Sequence, residues 1–94
     1  MKENLNVVTA KELTPKQERG IVVIRESILK LLTEFDYLSR TSLSGHTAPY
    51  VYSYDLPFSI WSTILADLVE EGAVTVSTIG SGRQQKRIYR LATR

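Results

Sequence analysis

The spacing of apolar residues changes character at Gly72. Before it, they recur every three or four residues, the period of a helix with one buried stripe. After it come AVTVSTI, then GSG, then RQQKR, then IYRLA. β-Branched residues flanking a glycine-rich basic turn predict two strands joined as a hairpin. Val74 and Val76 share one face of the first strand, and Tyr89 and Leu91 share one face of the second. Helices followed by a hairpin in 94 residues leave room for one α+β core and no second domain. The expected division is an arm over residues 1–13 and one folded unit over residues 14–94.

Three helices are expected before the switch. Thr14 and Pro15 open the first, with threonine as cap, proline at the first helical position, and Gln17 completing a capping box. Ile21, Ile24, Ile28, Leu31, Leu32 and Phe35 make its buried stripe. Gly20 lowers helix stability by up to about 1 kcal/mol against alanine, which would start the helix nearer that residue. Val22 and Leu29 lie off the stripe and, with Val7 and Val8 of the arm, are the expected dimer surface. Residues 39–46 form a short second helix capped by Ser39. Thr47–Asp55, with a proline and three tyrosines, reads as an extended connection of about nine residues. Asp55 then caps a third helix over residues 57–71, with Trp61, Leu65 and Leu68 inward and Ser59, Ile60, Ser62, Thr63, Ala66 and Asp67 outward.

Charge is distributed as unevenly as hydropathy. The formal net charge is only +2, yet residues 72–94 hold five Lys/Arg and no acid, while residues 1–71 hold seven Lys/Arg and ten Asp/Glu. A basic segment behind a mildly acidic body points to a polyanion; the alternative is a tail that aids solubility. The absence of cysteine excludes disulfides, zinc–thiolate sites and a cysteine nucleophile. No apolar run exceeds four residues, so no membrane partner and a cytoplasmic, nucleoid- or plasmid-associated location are expected. There is no nucleophile–base set, phosphate loop or metal-ligand spacing, so no catalytic residue, cofactor or metal is expected. His46, the one histidine, is expected to cap or satisfy local backbone groups.

LADLVEEGAV, the β-branched strand, and GSGRQQKRIYRL resemble the recognition-helix end, wing strands and wing tip of winged helix-turn-helix domains. The resemblance covers about residues 19–92. It implies three helices followed by a two-stranded wing, double-stranded DNA as partner, and the third helix in the major groove. Small-residue positions Ser59, Ser62, Thr63 and Ala66 would let that helix approach base edges, with Ile60 against a thymine methyl. Arg83, Gln84, Gln85, Lys86 and Arg87 of the wing would hold phosphates. Arg40, Thr41 and Ser42 open the second helix where related domains touch phosphate, and Tyr50, Tyr52 and Tyr54 are candidates for phosphate contact, stacking or core packing. The third helix departs from the pattern in having no Lys or Arg to reach guanine.

The leading expectation is a sequence-specific, homodimeric transcriptional regulator of repressor type, acting by occupying its site. Small proteins of this family also bind centromere sites in plasmid partition, including archaeal plasmids, where they spread on DNA and engage a partner protein; the Ile-, Val- and Tyr-rich composition suits an archaeal plasmid or virus. The rival from another class is a winged-helix interaction module that never touches DNA.

Overall fold

The computed structural model describes residues 13–93. Val7 and Val8 of the expected dimer surface lie outside them. The elements run α1 (Pro15–Glu34), β1 (Leu38–Ser39), α2 (Arg40–Ser53), α3 (Ser59–Glu70), β2 (Val74–Ile79) and β3 (Lys86–Leu91), with a 3-10 turn at Gly82–Gln84. The result is α+β: three helices against a three-stranded antiparallel sheet of order β1-β3-β2. The sheet has one strand more than the expected hairpin. Leu38 and Ser39 pair with Tyr89 and Ile88, which makes β3 central. Two residues carry no periodicity, so β1 left no trace in the sequence pattern.

α1 begins as expected. The Gln17 N–H donates to Thr14 Oγ1 at 3.1 Å and the Thr14 N–H to Gln17 Oε1 at 3.0 Å, a complete capping box. Gly20 does not delay the helix; it is a buried helical position where Tyr54 packs. A Cβ there would overlap Tyr54 Cβ, lie 2.6 Å from Tyr54 Cγ and 3.1 Å from Leu56 Cδ1. The glycine's unfavourable propensity is offset by this close approach. Phe35, expected in the stripe, is the C-cap residue and is 46% exposed, because the chain leaves helical geometry there. Leu29, expected on the outer surface, is partly buried against the core. Val22 remains outward and 50% exposed.

The largest departure is α2. It runs through the expected extended stretch, with Pro49 inside it, and ends at Ser53. Proline within a helix costs roughly 3 kcal/mol through a lost N–H and a clash with the preceding turn. Leu43, Thr47 and Val51, spaced by four and all fully buried, supply the opposing stabilisation. Thr47 disguised that stripe because it is polar. Its hydroxyl donates to the Leu43 carbonyl at 2.7 Å and accepts the Trp61 indole N–H at 2.6 Å, so it is buried with its polar atom satisfied. The connection to α3 is therefore Tyr54–Phe58, five residues rather than nine.

Asp55 does not cap α3. It sits in the left-handed region at φ 55°, which aspartate tolerates better than most residues. It is tied instead to the start of α1: its carboxylate meets Lys16 Nζ at 3.1 Å, and its carbonyl accepts from Gln17 Nε2 at 2.6 Å. α3 starts at Ser59 with Phe58 as cap and ends on Gly72, whose φ of 83° completes a Schellman turn. The Gly72 N–H donates to the Val69 carbonyl and the Ala73 N–H to the Leu68 carbonyl, each at 3.0 Å.

The core gathers Ile24, Ile28 and Leu32 of α1, Leu43 and Val51 of α2, Trp61, Leu65 and Leu68 of α3, and Val74 and Tyr89 of the hairpin. Arg25 of α1 forms a two-pronged ion pair with Glu71 just past α3, its Nη1 donating to Oε2 at 2.9 Å. That hydrogen bond pushes the Arg25 pKa above its ordinary value, with burial opposing it. Val76 shares Tyr89's side of the sheet, as the register requires, but lies beyond the core's cover and is exposed. Among the described residues no helix is long and apolar enough to cross a membrane.

Candidate nucleic-acid interface

Packing sorts the expected contact residues. α3 buries Ile60, Trp61, Ile64, Leu65 and Leu68. Ile60 is thus a core residue and cannot offer its side chain to a thymine methyl, because the helix axis turns it beside Trp61 toward the core. What remains open is the narrow face of Ser59, Ser62, Thr63, Ala66 and Glu70. Ser62 and Thr63 are half-buried, and Ser59 and Ala66 are exposed. Trp61 is buried as expected, at 1% exposure.

Arg40 occupies the first position of α2, after the Ser39 cap, whose hydroxyl accepts the Ser42 N–H at 3.1 Å. Its side chain crosses to α3. Nη2 donates to Ser62 Oγ at 2.8 Å, and the guanidinium carbon stands over the Trp61 ring at 5.1 Å from the centroid. Phe58 stacks on the same indole, with centroids 6.4 Å apart and planes 11° from parallel. Three surface depressions meet at Arg40. One, of about 510 Å³, runs between the start of α2 and β3 and is lined by Thr41, Ser42, Gln85, Lys86 and Arg87 beside Arg40. A second, of about 290 Å³, lies between α3 and the sheet and includes Ser62, Ala66, Glu70, Val76 and Arg87. The third, of about 390 Å³, is bounded by Thr41, Gly45, Phe58 and Trp61.

Arg87 thereby lines two of the three grooves. Its β2 partner is Thr78, which places it on the side of the sheet that Val76 and Tyr89 turn to the helices. The hairpin loop runs from Gly80 to Gln85 and is exposed throughout, with Arg83 and Gln84 in the 3-10 turn at its tip. Among the described residues no carboxylate forms an ion pair with Arg40, Arg83, Lys86 or Arg87. Arg90 differs: its guanidinium stands over the Tyr37 ring at 5.4 Å.

The three tyrosines do not join this region. Tyr50 faces α1 in a depression with Ser27, Lys30, Glu34 and His46. Tyr54 packs on Gly20 and is partly buried against the core. Tyr52 stands alone on the outer face of α2, 71% exposed. Once the stretch is helical, residues two apart point in different directions, whereas in an extended loop they would have faced one way. His46 is an exposed position within α2, not a cap. The structure brings together Arg40, Thr41, Ser42, Ser62, Gln85, Lys86 and Arg87 and separates the tyrosines from them. Sequence reasoning missed the Arg40–Ser62 and Arg40–Trp61 contacts. The one signal for them was the 43/47/51 spacing, which would have put Arg40 on the α3 side of a long helix.

Among the described residues no group of His, Cys, Asp or Glu is arranged to hold a metal ion. No family model, curated protein or solved structure matches the chain.

Proposed function

We propose that this chain is a winged helix-turn-helix protein that binds double-stranded DNA sequence-specifically as a homodimer and acts as a repressor-type regulator. One observation carries the proposal. Arg40, Lys86 and Arg87, from two distant parts of the chain, line one groove, and Arg40 and Arg87 also border the open face of α3, whose side chains are short apart from Glu70. Cationic groups flanking a helix that can approach closely suit a duplex, where phosphates position the protein and base edges are read between them. In this reading α3 lies in the major groove, and the hairpin tip with Arg83, Gln84 and Gln85 follows the backbone. The sheet departs from a two-stranded wing only by the short β1, which braces β3 from the helix side.

A dimer doubles the few contacts that one small domain offers, and two-fold symmetry sets half-sites about one helical turn, or a multiple, apart. With Leu29 withdrawn into the core, Val22 is the exposed apolar position that α1 offers such a contact.

Selection of bound sequences from a random duplex pool, followed by a salt titration of the winner, tests the proposal. Four to six phosphate contacts per subunit would give a log–log salt slope of roughly −4 to −5 for each subunit. Failure to bind any duplex more tightly than micromolar at low salt would sink it. Footprinting then separates two uses of the same interface: an operator shows one discrete protected site, whereas a spreading partition factor extends protection as concentration rises.

A further inference from the structure

α3 presents no Lys or Arg, so a duplex-reading role leaves it without the side chain best suited to guanine. We infer that Arg40 supplies that group from the neighbouring helix, and that its ligand is the O6/N7 edge of a guanine in the major groove. The inference rests on the DNA-binding reading above and assigns one residue of it a base-specific task.

Four observations support it. First, the guanidinium does not extend from the start of α2 into solvent; it lies back over the Trp61 ring and bonds Ser62 in the middle of α3's open face. Second, it is held from two directions. The ring contact holds the guanidinium carbon over the indole, and the hydrogen bond to Ser62 restricts its rotation. The indole beneath is itself pinned by the 2.6 Å bond to Thr47, so the platform cannot swivel. A planar fork held this way has already lost the rotamer freedom that a bidentate contact requires it to lose.

Third, among the described residues one of its five N–H donors is used by protein: Nη2 to Ser62. Among the described residues no carboxylate neutralises it. Fourth, it stands where all three grooves meet, so a ligand lying on α3 or crossing to β3 passes it. Lys86 and Arg83 share the lack of a carboxylate partner but are exposed, and among the described residues no ring or hydroxyl orients them. They suit phosphate, which asks for charge more than for orientation. Arg40 suits an acceptor pair of fixed geometry.

Phosphate offers the same guanidinium two acceptors, so the experiment must separate the two sources. The probes are the selected duplex, a set in which each G·C pair is replaced by A·T, and the selected duplex with 7-deazaguanine at each guanine in turn, which removes the N7 acceptor. The proteins are wild type, Arg40→Lys, Arg40→Ala and Lys86→Ala. The wild type should lose roughly 10- to 100-fold in affinity at one particular G·C pair of the half-site, with a smaller loss for 7-deazaguanine at that position. Arg40→Lys keeps the charge and should lose most of that discrimination while holding affinity for unrelated duplex within about threefold. Lys86→Ala should keep the discrimination and weaken every duplex alike.

Arg40→Lys also retains an alkyl stem over Trp61, so the comparison survives if Arg40→Ala fails to fold. Full discrimination by Arg40→Lys, or a uniform loss across all duplexes for Arg40→Ala with a salt slope lower by about one, would make Arg40 a phosphate contact and overturn the inference. A wild-type protein that binds no duplex would refute the parent reading instead, a result distinguishable from either.

Discussion

The buried contact between Thr47 and Trp61 lends itself to a direct test. Both residues are essentially inaccessible to water, at 0% and 1% exposure. Among the described residues the threonine hydroxyl is the one acceptor for the indole N–H, at 2.6 Å, and itself donates to the Leu43 carbonyl at 2.7 Å. Thr47→Val is nearly isosteric, so it creates little cavity and changes one oxygen to a methyl. The Leu43 carbonyl keeps its helical ladder bond. The indole N–H keeps nothing, and a buried donor left without an acceptor costs about 1–3 kcal/mol. The added methyl returns up to about 0.8 kcal/mol of hydrophobic stabilisation. The net expectation is a loss of roughly 1–2 kcal/mol, which in a domain of this size lowers Tm by about 5–15 °C.

Trp61 is the only tryptophan in the chain, so urea unfolding followed by its fluorescence reports the core directly. The transition midpoint should fall with no change in slope. A second arm isolates the bond itself. In a Trp61→Phe background there is no N–H to strand, so Thr47→Val should be nearly neutral there, leaving a coupling of about 1 kcal/mol or more by circular dichroism. A Thr47→Val protein as stable as wild type, or an equal loss in both backgrounds, would refute the reasoning that a satisfied polar pair sustains α2 across Pro49.

Gly20→Ala should destabilise despite alanine's better helix propensity, by roughly 1–3 kcal/mol in thermal unfolding, because the new Cβ meets Tyr54 Cγ at 2.6 Å. Truncating Tyr54 to glycine in the same chain, which removes the Cβ as well as the ring, should abolish most of the Gly20→Ala penalty. Arg83→Ala combined with Arg87→Ala should weaken binding to all duplexes alike and reduce the salt slope by about two per subunit; unchanged affinity would remove the hairpin from the interface. Val22→Asp should shift sedimentation toward monomer while leaving the unfolding midpoint within about 0.5 kcal/mol of wild type, since the position is half-exposed. An unchanged dimer would move the contact elsewhere.

The outcomes of sequence reasoning divide by the range of the interactions involved. The capping box at Thr14, the Schellman turn at Gly72 and the register-forming β-branched run after it depend on residues within a turn of each other, and all three are legible in the chain. The start of α2 and its Ser39 cap were legible too, but not its continuation past residue 46, whose stability comes from elsewhere. Pro49 argues locally for a break, and Thr47 interrupts the apolar stripe. Only the arrival of Trp61, 14 residues on, turns Thr47 into a core residue. β1 was hidden for the same reason, being two residues whose strand character exists only through pairing with Tyr89 and Ile88. Asp55 looked like a cap because it precedes Pro57; its partners, Lys16 and Gln17, lie nearly 40 residues back. At the proposed interface, the individual charges of Arg40, Lys86 and Arg87 were visible but not their convergence.

Trp61 links what holds this protein together to what it is proposed to recognise. α3 commits five of its twelve positions to the core and has only a narrow strip left for contact. Long basic side chains on that strip would hold the backbone away from a ligand, while short ones bring too little charge. The fold meets both demands by using the two aspects of one indole. Its N–H edge turns inward and is closed by Thr47, which lets α2 run its full length. That length sets the start of α2 beside α3, and from there Arg40 lies over the ring's face and reaches Ser62. Positive charge thus arrives at α3 without occupying it. One consequence separates this arrangement from a chance neighbourhood. Trp61→Phe retains a ring face but removes the N–H and weakens the cation–π contact. It should loosen Arg40 and lower base discrimination in proportion, even at temperatures where the protein remains fully folded. Thr47→Ser, which keeps the hydroxyl, should lower stability by about 1 kcal/mol and leave discrimination intact. If the two substitutions instead reduced stability and discrimination in parallel, Arg40 would owe its position to the general integrity of the fold and not to the indole beneath it.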